Sequence, residues 1–284
     1  MRESNFSPTT MKDQSKRLSH EARRWIVALA RFGFAAQGVV YIVIGSLSAL
    51  AAFHRGGRTT GSRGALVEIL SQPYGQVMLG VIAVGFMGYT LWRLTQGILD
   101  TEHKGSDAKG IVARLGYAVI GLIYGSFAVT AVQLIIGTGN RRGDEESSQE
   151  WTATLLAQPL GQWLVGAIGV GIIALALYQC YLAYTAKFLE QLDRSEMSRR
   201  AETWASRVGR LGLAARGVVF TVIGVFLMVA ALTANPNQAR GLSGALQALE
   251  QQPVGPWALG IVALGLVAYG LYMLVLTRYR RIIL

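Results

Sequence analysis

The chain has 284 residues, of which 52% are hydrophobic and only 15% charged, and its net charge is +11. Soluble domains carry about a quarter charged residues, so this deficit excludes an ordinary soluble protein and removes nucleic acid as the explanation of the basic charge. A single cysteine, Cys180, excludes an intramolecular disulfide and a thiolate metal cluster.

Residues 1–19 are polar and basic without hydrophobic period, and are expected to form a disordered basic tail. From His20 the pattern turns helical and leads into the first of six apolar runs, at 32–53, 77–99, 115–136, 160–184, 211–234 and 256–276. Each is long enough to cross a bilayer, which takes about 20 residues at about 1.5 Å each. The first run is too long for a signal-peptide core, and its copies lie inside the chain, so it counts as a span.

The chain repeats itself three times. Arg31-Phe32-Gly33-Phe34-Ala35-Ala36-Gln37-Gly38 returns as Arg114-Leu115-Gly116-Tyr117-Ala118-Val119-Ile120-Gly121, and again as Arg210-Leu211-Gly212-Leu213-Ala214-Ala215-Arg216-Gly217. Each even run follows a second refrain: Gln72-Pro73-Tyr74-Gly75, Gln158-Pro159-Leu160-Gly161 and Gln252-Pro253-Val254-Gly255. Arginine and proline stand 42, 45 and 43 residues apart in the three copies, so the unit is one duplicated hairpin. The proline is expected in the first helical turn of the span, where no N–H bond is lost. Short amphipathic pieces precede it, marked by Leu66, Ile69 and Leu70, by Leu155 and Leu156, and by Leu246 and Leu249. The chain thus divides into the tail, hairpin repeats at 20–100 and 101–186, and a third repeat at 187–284. That third repeat opens on an amphipathic lead-in helix carrying Leu189, Leu192, Met197, Ala201, Trp204 and Val208, expected to lie on anionic lipid. Trp25 and Trp204 stand six residues before Arg31 and Arg210, as residues of the headgroup layer would; Ala108 breaks the pattern in the second repeat.

Nineteen lysines and arginines fall in the two tails and the even-to-odd connections, against six in the opposite loops. Both termini are therefore expected in the cytoplasm. The acidic cluster Asp144, Glu145, Glu146 and Glu150 then lies outside, as a solvated loop.

These repeated Arg-x-Gly and Gln-Pro-x-Gly words, in six spans and three hairpins, resemble the bacterial membrane family catalogued as the domain of unknown function numbered 1206. The resemblance covers roughly Arg31 to Tyr279. It implies an all-α, multi-pass protein of the bacterial cytoplasmic (inner) membrane, built of tandem two-helix repeats, and brings no established activity, ligand or catalytic residue. The middle repeat departs from its sisters at Thr152 to Thr154, where they carry Gly-Ala-Leu beginning at Gly64 and Gly244.

All sixteen carboxylates lie in tails or connections, which weighs against a proton- or cation-coupled carrier. His20, His54 and His103 are scattered, so no metal site is expected, and no hydrolase, zincin or phosphate-loop motif is present. The glycines read as packing positions: Gly38 and Gly45, Gly121 and Ala128, and Gly217 and Gly224 recur at i, i+7 on one helix face. Trp92, Tyr178 and Tyr272, each 19 residues after its proline, read as interfacial or packed aromatics.

Arg93 and Arg216 are the charges inside spans, each about 9 Å from the end expected in the cytoplasm. Arg216 is expected to snorkel back to the surface, whereas Arg93 points inward and needs a partner, with Gln96, Gln37, Tyr41 and Tyr89 as candidates. Together with Arg31, Arg114 and Arg210 they make a basic collar, the candidate site for an anion or lipid headgroup, weighed against plain positive-inside anchoring, which is preferred. The commitment is to an all-α integral membrane protein of six transmembrane helices in three pseudo-threefold repeats. It is expected to be no enzyme and to carry no cofactor: a membrane scaffold or anionic-lipid-interacting protein, with a pore or carrier for a small neutral or anionic solute as the alternative. A cavity lined by Gln37, Gln96, Gln133, Gln179 and Arg93 would favour that alternative. Expected partners are membrane lipids, anionic ones among them, and a membrane protein or second copy of the chain; nucleic acid is not expected.

Overall fold

The computed structural model describes residues 8–53, 55–99, 105, 107–139, 144–193, 195 and 197–280, with side chains from Val27 onward except at positions 99, 108, 109 and 144. The chain is all-α, an integral membrane protein of six transmembrane helices. These are α1 (Pro8–Ala52), α3 (Gly75–Leu99), α4 (Ala108–Ile135), α6 (Gly161–Thr185), α7 (Arg199–Thr233) and α9 (Gly255–Tyr279). Between the two spans of each repeat lies a short helix: α2 (Ser62–Ser71), α5 (Asp144–Leu156) and α8 (Leu242–Glu250).

The short helices meet at the end of the bundle away from the termini. Arg63 Nη1 donates to Ser147 Oγ between α2 and α5, and Arg240 Nε stands 3.9 Å from Glu145 Oε1 beside α8. The acidic cluster is therefore no loop. It lies within α5, where Glu145 and Glu146 stand in the first turn and complement the positive end of the helix dipole.

Each Gln-Pro-x-Gly word folds as a turn closed by the glycine N–H on the glutamine carbonyl, at 2.8 Å for Gly75, 2.9 Å for Gly161 and 2.7 Å for Gly255. The prolines stand in this turn, two residues before the helix, and not in its first turn as the sequence led us to expect. Tyr74 and Leu160 take φ of 62° and 63°, the positive φ of the third position of a type II turn. The closing glycine is sterically required: a Cβ would come 2.3, 2.2 and 1.8 Å from a carbonyl oxygen of Leu70, Leu155 and Glu250.

Two boundaries differ from the sequence reading. Residues 8–19, assigned to the disordered tail, are helical, because no glycine or proline interrupts residues 9–32 and Pro8 sits at a helix start, where its missing N–H costs nothing. Residues 1–7 and the side chain of Trp25 lie outside what is described. The lead-in of the third repeat is no separate helix either. Ser198 Oγ caps α7 by accepting from Ala201 N–H at 3.2 Å, and α7 runs on unbroken into its span. Leu189 and Leu192 are buried in protein, Phe188 meets Tyr272 edge-on at 5.2 Å, and Asp193 N–H donates to Tyr279 O at 2.7 Å, so this segment faces the bundle and not lipid.

The six spans stand in a ring in which consecutive repeats meet through one conserved geometry within the chain. Gly38 of α1 lies against Gly270 and Leu274 of α9, Gly121 of α4 against Leu94 of α3, and Gly217 of α7 against Ala176 and Cys180 of α6. Leu274, Leu94 and Cys180 each stand 21 residues after their refrain proline, so the three interfaces are copies related by the pseudo-threefold. Within a repeat, Gly33 and Gly85 clamp α1 to α3, and Gly212 and Gly265 clamp α7 to α9, with added Cβ atoms falling 2.3 to 2.8 Å from Tyr89, Ala36, Tyr269 and Ala215. Among the described residues α4 and α6 share no packed interface, and a Cβ on their equivalents, Gly116 and Gly171, would meet nothing within 4 Å.

Gly85→Ala and Gly265→Ala are each expected to destabilise the protein by about 1 to 3 kcal/mol through overpacking. Gly171→Ala, which meets open space in a helix, should stabilise it by about 0.5 to 1 kcal/mol. Thermal melts in detergent check both signs; a Gly171→Ala loss equal to that of its sisters would mean that α4 and α6 are packed.

Candidate intramembrane arginine site

The repeat places polar residues at two recurrent levels. Six residues after each opening arginine stand Gln37, Ile120 and Arg216, and twenty after each refrain proline stand Arg93, Gln179 and Met273. Tyr41, Tyr124 and Phe220 follow at the tenth position, and Tyr89 and Tyr269 at the sixteenth after proline. The interior near the terminus side is therefore built of guanidiniums, amides and phenols.

Arg93 points inward on α3. Its Nε and Nη2 donate to Tyr89 Oη at 2.9 and 2.7 Å, and its Nη1 donates to Gln96 Oε1 at 3.0 Å, so Tyr89 and Gln96 are the partners from the expected set. The guanidinium also lies 5.0, 4.6 and 5.2 Å from the ring centres of Tyr89, Trp92 and Tyr117. Ring faces attract a cation by about 0.5 to 2 kcal/mol each, which helps to offset the loss of water.

Arg216 does not snorkel. Its Nη1 donates to Tyr269 Oη on α9, and its guanidinium sits 5.6, 4.6 and 4.8 Å from the rings of Tyr41, Phe220 and Tyr269. The expected path to the surface loses to this ring cage because α1 and α9 are close enough to supply both faces. Arg216 Nε is buried without a hydrogen-bond partner. Tyr124 and Tyr89 complete its phenolic surroundings, and Tyr89 meets Tyr124 edge-on at 4.9 Å, so the two arginines share one aromatic cluster.

The remaining collar residues separate from this pair. Arg114 donates from Nε to Gly97 O and from Nη2 to Ile98 O, both at 2.8 Å, capping the last carbonyls of α3. A cation there also meets the negative end of the helix dipole. Arg31 and Arg210 are exposed. Arg280, which sequence reasoning used for orientation alone, stacks 4.8 Å from both Phe34 and Trp92 and adds a third guanidinium to the cluster. The recurrence of Tyr89 and Tyr269 was the available signal for the rest. Outside the spans, the hydrogen bond from Lys187 Nζ to Tyr181 Oη, at 2.9 Å, raises the lysine pKa and holds it protonated.

Two amides complete the picture. Gln37 is 3% exposed with Nε2 unpartnered, and Gln179 is 4% exposed with both amide atoms unpartnered. No group of three or more histidines, cysteines or carboxylates that could hold a metal ion occurs among the described residues. The arrangement offers hydrogen-bond donors and positive charge, with no nucleophile and base set side by side.

The family model described as Domain of Unknown Function (DUF1206) matches three tandem segments, residues 32–100, 115–186 and 211–280. An uncharacterized protein, YxxB of Bacillus subtilis (strain 168), is 37% identical over 259 residues, covering 91% of this chain and 93% of its own. No solved structure matches the chain.

Tyr269→Phe removes the acceptor of Arg216 and leaves a part-buried cation one bond short, and is expected to cost about 1 to 3 kcal/mol. Tyr272→Phe, whose ring packs on Phe188, serves as the control; melting both in detergent separates loss of the acceptor from a general effect of phenol removal.

Proposed function

The chain belongs to this family of unknown function, so its activity has to come from the site, and we propose that it is a non-enzymatic membrane protein that binds an anionic lipid headgroup at Arg93 and Arg216. The observation that carries the reading is the pair of inward guanidiniums held by phenols and an amide within apolar runs that contain no carboxylate. A charge in a span costs about 2.5 to 3.5 kcal/mol even on insertion scales, so two of them kept without a counter-ion favour an anion from outside the chain. A phosphodiester supplies acceptor oxygens matched to the arginine fork. The burial of Gln37, Gln96 and Gln179 supports this reading over a water-lined carrier, and Gln133 is exposed.

We further infer a bacterial cytoplasmic membrane with both ends in the cytoplasm, from the excess of lysine and arginine on the terminus side. Arg93 and Arg216 then lie about 9 Å below that surface, at the level where headgroup gives way to acyl chain.

Arg93→Gln with Arg216→Gln is expected to weaken phosphatidylglycerol retention about tenfold or more, the equivalent of about 1.4 kcal/mol, with phosphatidylcholine retention unchanged. Native mass spectrometry after purification from mixed vesicles reads both; equal retention of phosphatidylglycerol removes the proposal. In a Cys180→Ala background, Gln238→Cys should react with an impermeant maleimide in intact cells and Ser195→Cys should not; the reverse pattern inverts the topology.

A further inference from the structure

The middle hairpin departs from its sisters in a way that its own residues do not require. Gly116 and Gly171 occupy the positions where Gly33, Gly85, Gly212 and Gly265 let helices touch, yet they border open space. The neighbouring side chains follow suit. Ile123 is 47% exposed, where its equivalents Val40 and Val219 are 2% and 0%. Leu175 is 41% exposed, where Tyr89 and Tyr269 are 3%. These apolar surfaces are covered in repeats one and three by the partner helix of the same hairpin. In repeat two the partner stands away, leaving a cleft from the bilayer toward the ring interior.

The inner edge of this cleft is polar. On α6, Ile168, Leu175 and Gln179 fall on one stripe by their spacing of seven and four, so the unpartnered amide continues the uncovered apolar face inward. Gly217 packs on Ala176 and Cys180, which sets its neighbour Arg216 at the level of Gln179. An apolar strip open to lipid, behind which lie the buried unpartnered amide of Gln179 and the buried unpartnered Nε of Arg216, matches an acyl chain below an anionic headgroup.

We propose that α4 and α6 form a lateral gate, through which one acyl chain of an anionic phospholipid enters the ring, and that the gate closes by bringing Gly116 and Gly171 into the helix contact already made in the sister hairpins. The headgroup end of this proposal rests on the anionic-lipid reading above; the gate itself rests on the repeat comparison alone. A void between membrane helices forfeits dispersion contacts on both walls, so the slot is filled by lipid or closed by its own helices. Two discrete packings of one hairpin give the switch its two states.

The test uses full-length protein in mixed phosphatidylcholine and phosphatidylglycerol vesicles containing phosphatidylglycerol with a photoreactive acyl chain. Labelling is expected on the inner faces of α4 and α6, at Val119, Ile123, Leu175 and Tyr178, and is mapped by peptide mass spectrometry. In a Cys180→Ala background, Val119→Cys with Gly171→Cys copies the Ala36 and Gly85 contact. Oxidation is expected to form the disulfide and abolish the labelling, and reduction to restore it. Failure of the disulfide to form while labelling persists overturns the gate, and labelling that survives oxidation overturns the slot. A disulfide-linked dimer from Leu175→Cys alone overturns the lipid assignment in favour of a second copy. Loss of phosphatidylglycerol preference in Arg93→Gln with Arg216→Gln, with slot labelling by photoreactive phosphatidylcholine retained, would separate the headgroup reading from the gate: persistence of the preference overturns only the former.

Discussion

In lipid, one apolar helix gains nothing by leaving hydrocarbon for another apolar helix, so the ring depends on how closely backbones can approach. Gly38 on Gly270, Gly45 on Ala263 and Gly224 on Gly169 bring carbonyl oxygens to within 3.2 Å of where a Cβ would stand. Such contacts leave no room for larger residues and fix the register of neighbouring spans. The rest of the interior inherits that register: which level holds arginine, which holds phenol, and which rings face each other.

Because the register is copied three times, the polar interior is also built from copies, with individual members exchanged. Gln37 and Arg216 share a position, as do Arg93 and Gln179, and Met273 or Ile120 fills it where no polar group is kept. The two arginines therefore lie in different repeats and draw on different walls. Arg93 is satisfied largely within α3, whereas Arg216 on α7 depends on α1 and α9. That difference leaves Arg216 with an orphaned Nε.

The six spans and their threefold duplication were legible in the sequence, since hydropathy and repeated words need no tertiary information. Turn geometry was not: Tyr74 and Leu160 take the positive φ of the third turn position against their own preference, while the matching Val254 keeps φ of −104°, a difference the three refrain words do not reveal. The cage around Arg216 escaped for a similar reason: Tyr269 lies 53 residues away, and periodicity along α7 says nothing about it. The open middle hairpin was hidden most thoroughly. Gly116 and Gly171 are the same residues as their packed sisters, and Leu175 in place of tyrosine was the single hint.

A ring sealed by glycine contacts, and parted at one hairpin, is proposed to present buried guanidiniums to an anionic lipid. An electron cryomicroscopy map in phosphatidylglycerol nanodiscs tests it most directly. Elongated density is expected between α4 and α6, with its polar end at hydrogen-bond distance from Arg216. Density-free arginines beside α4 and α6 helices packed as closely as α1 and α3 would contradict it.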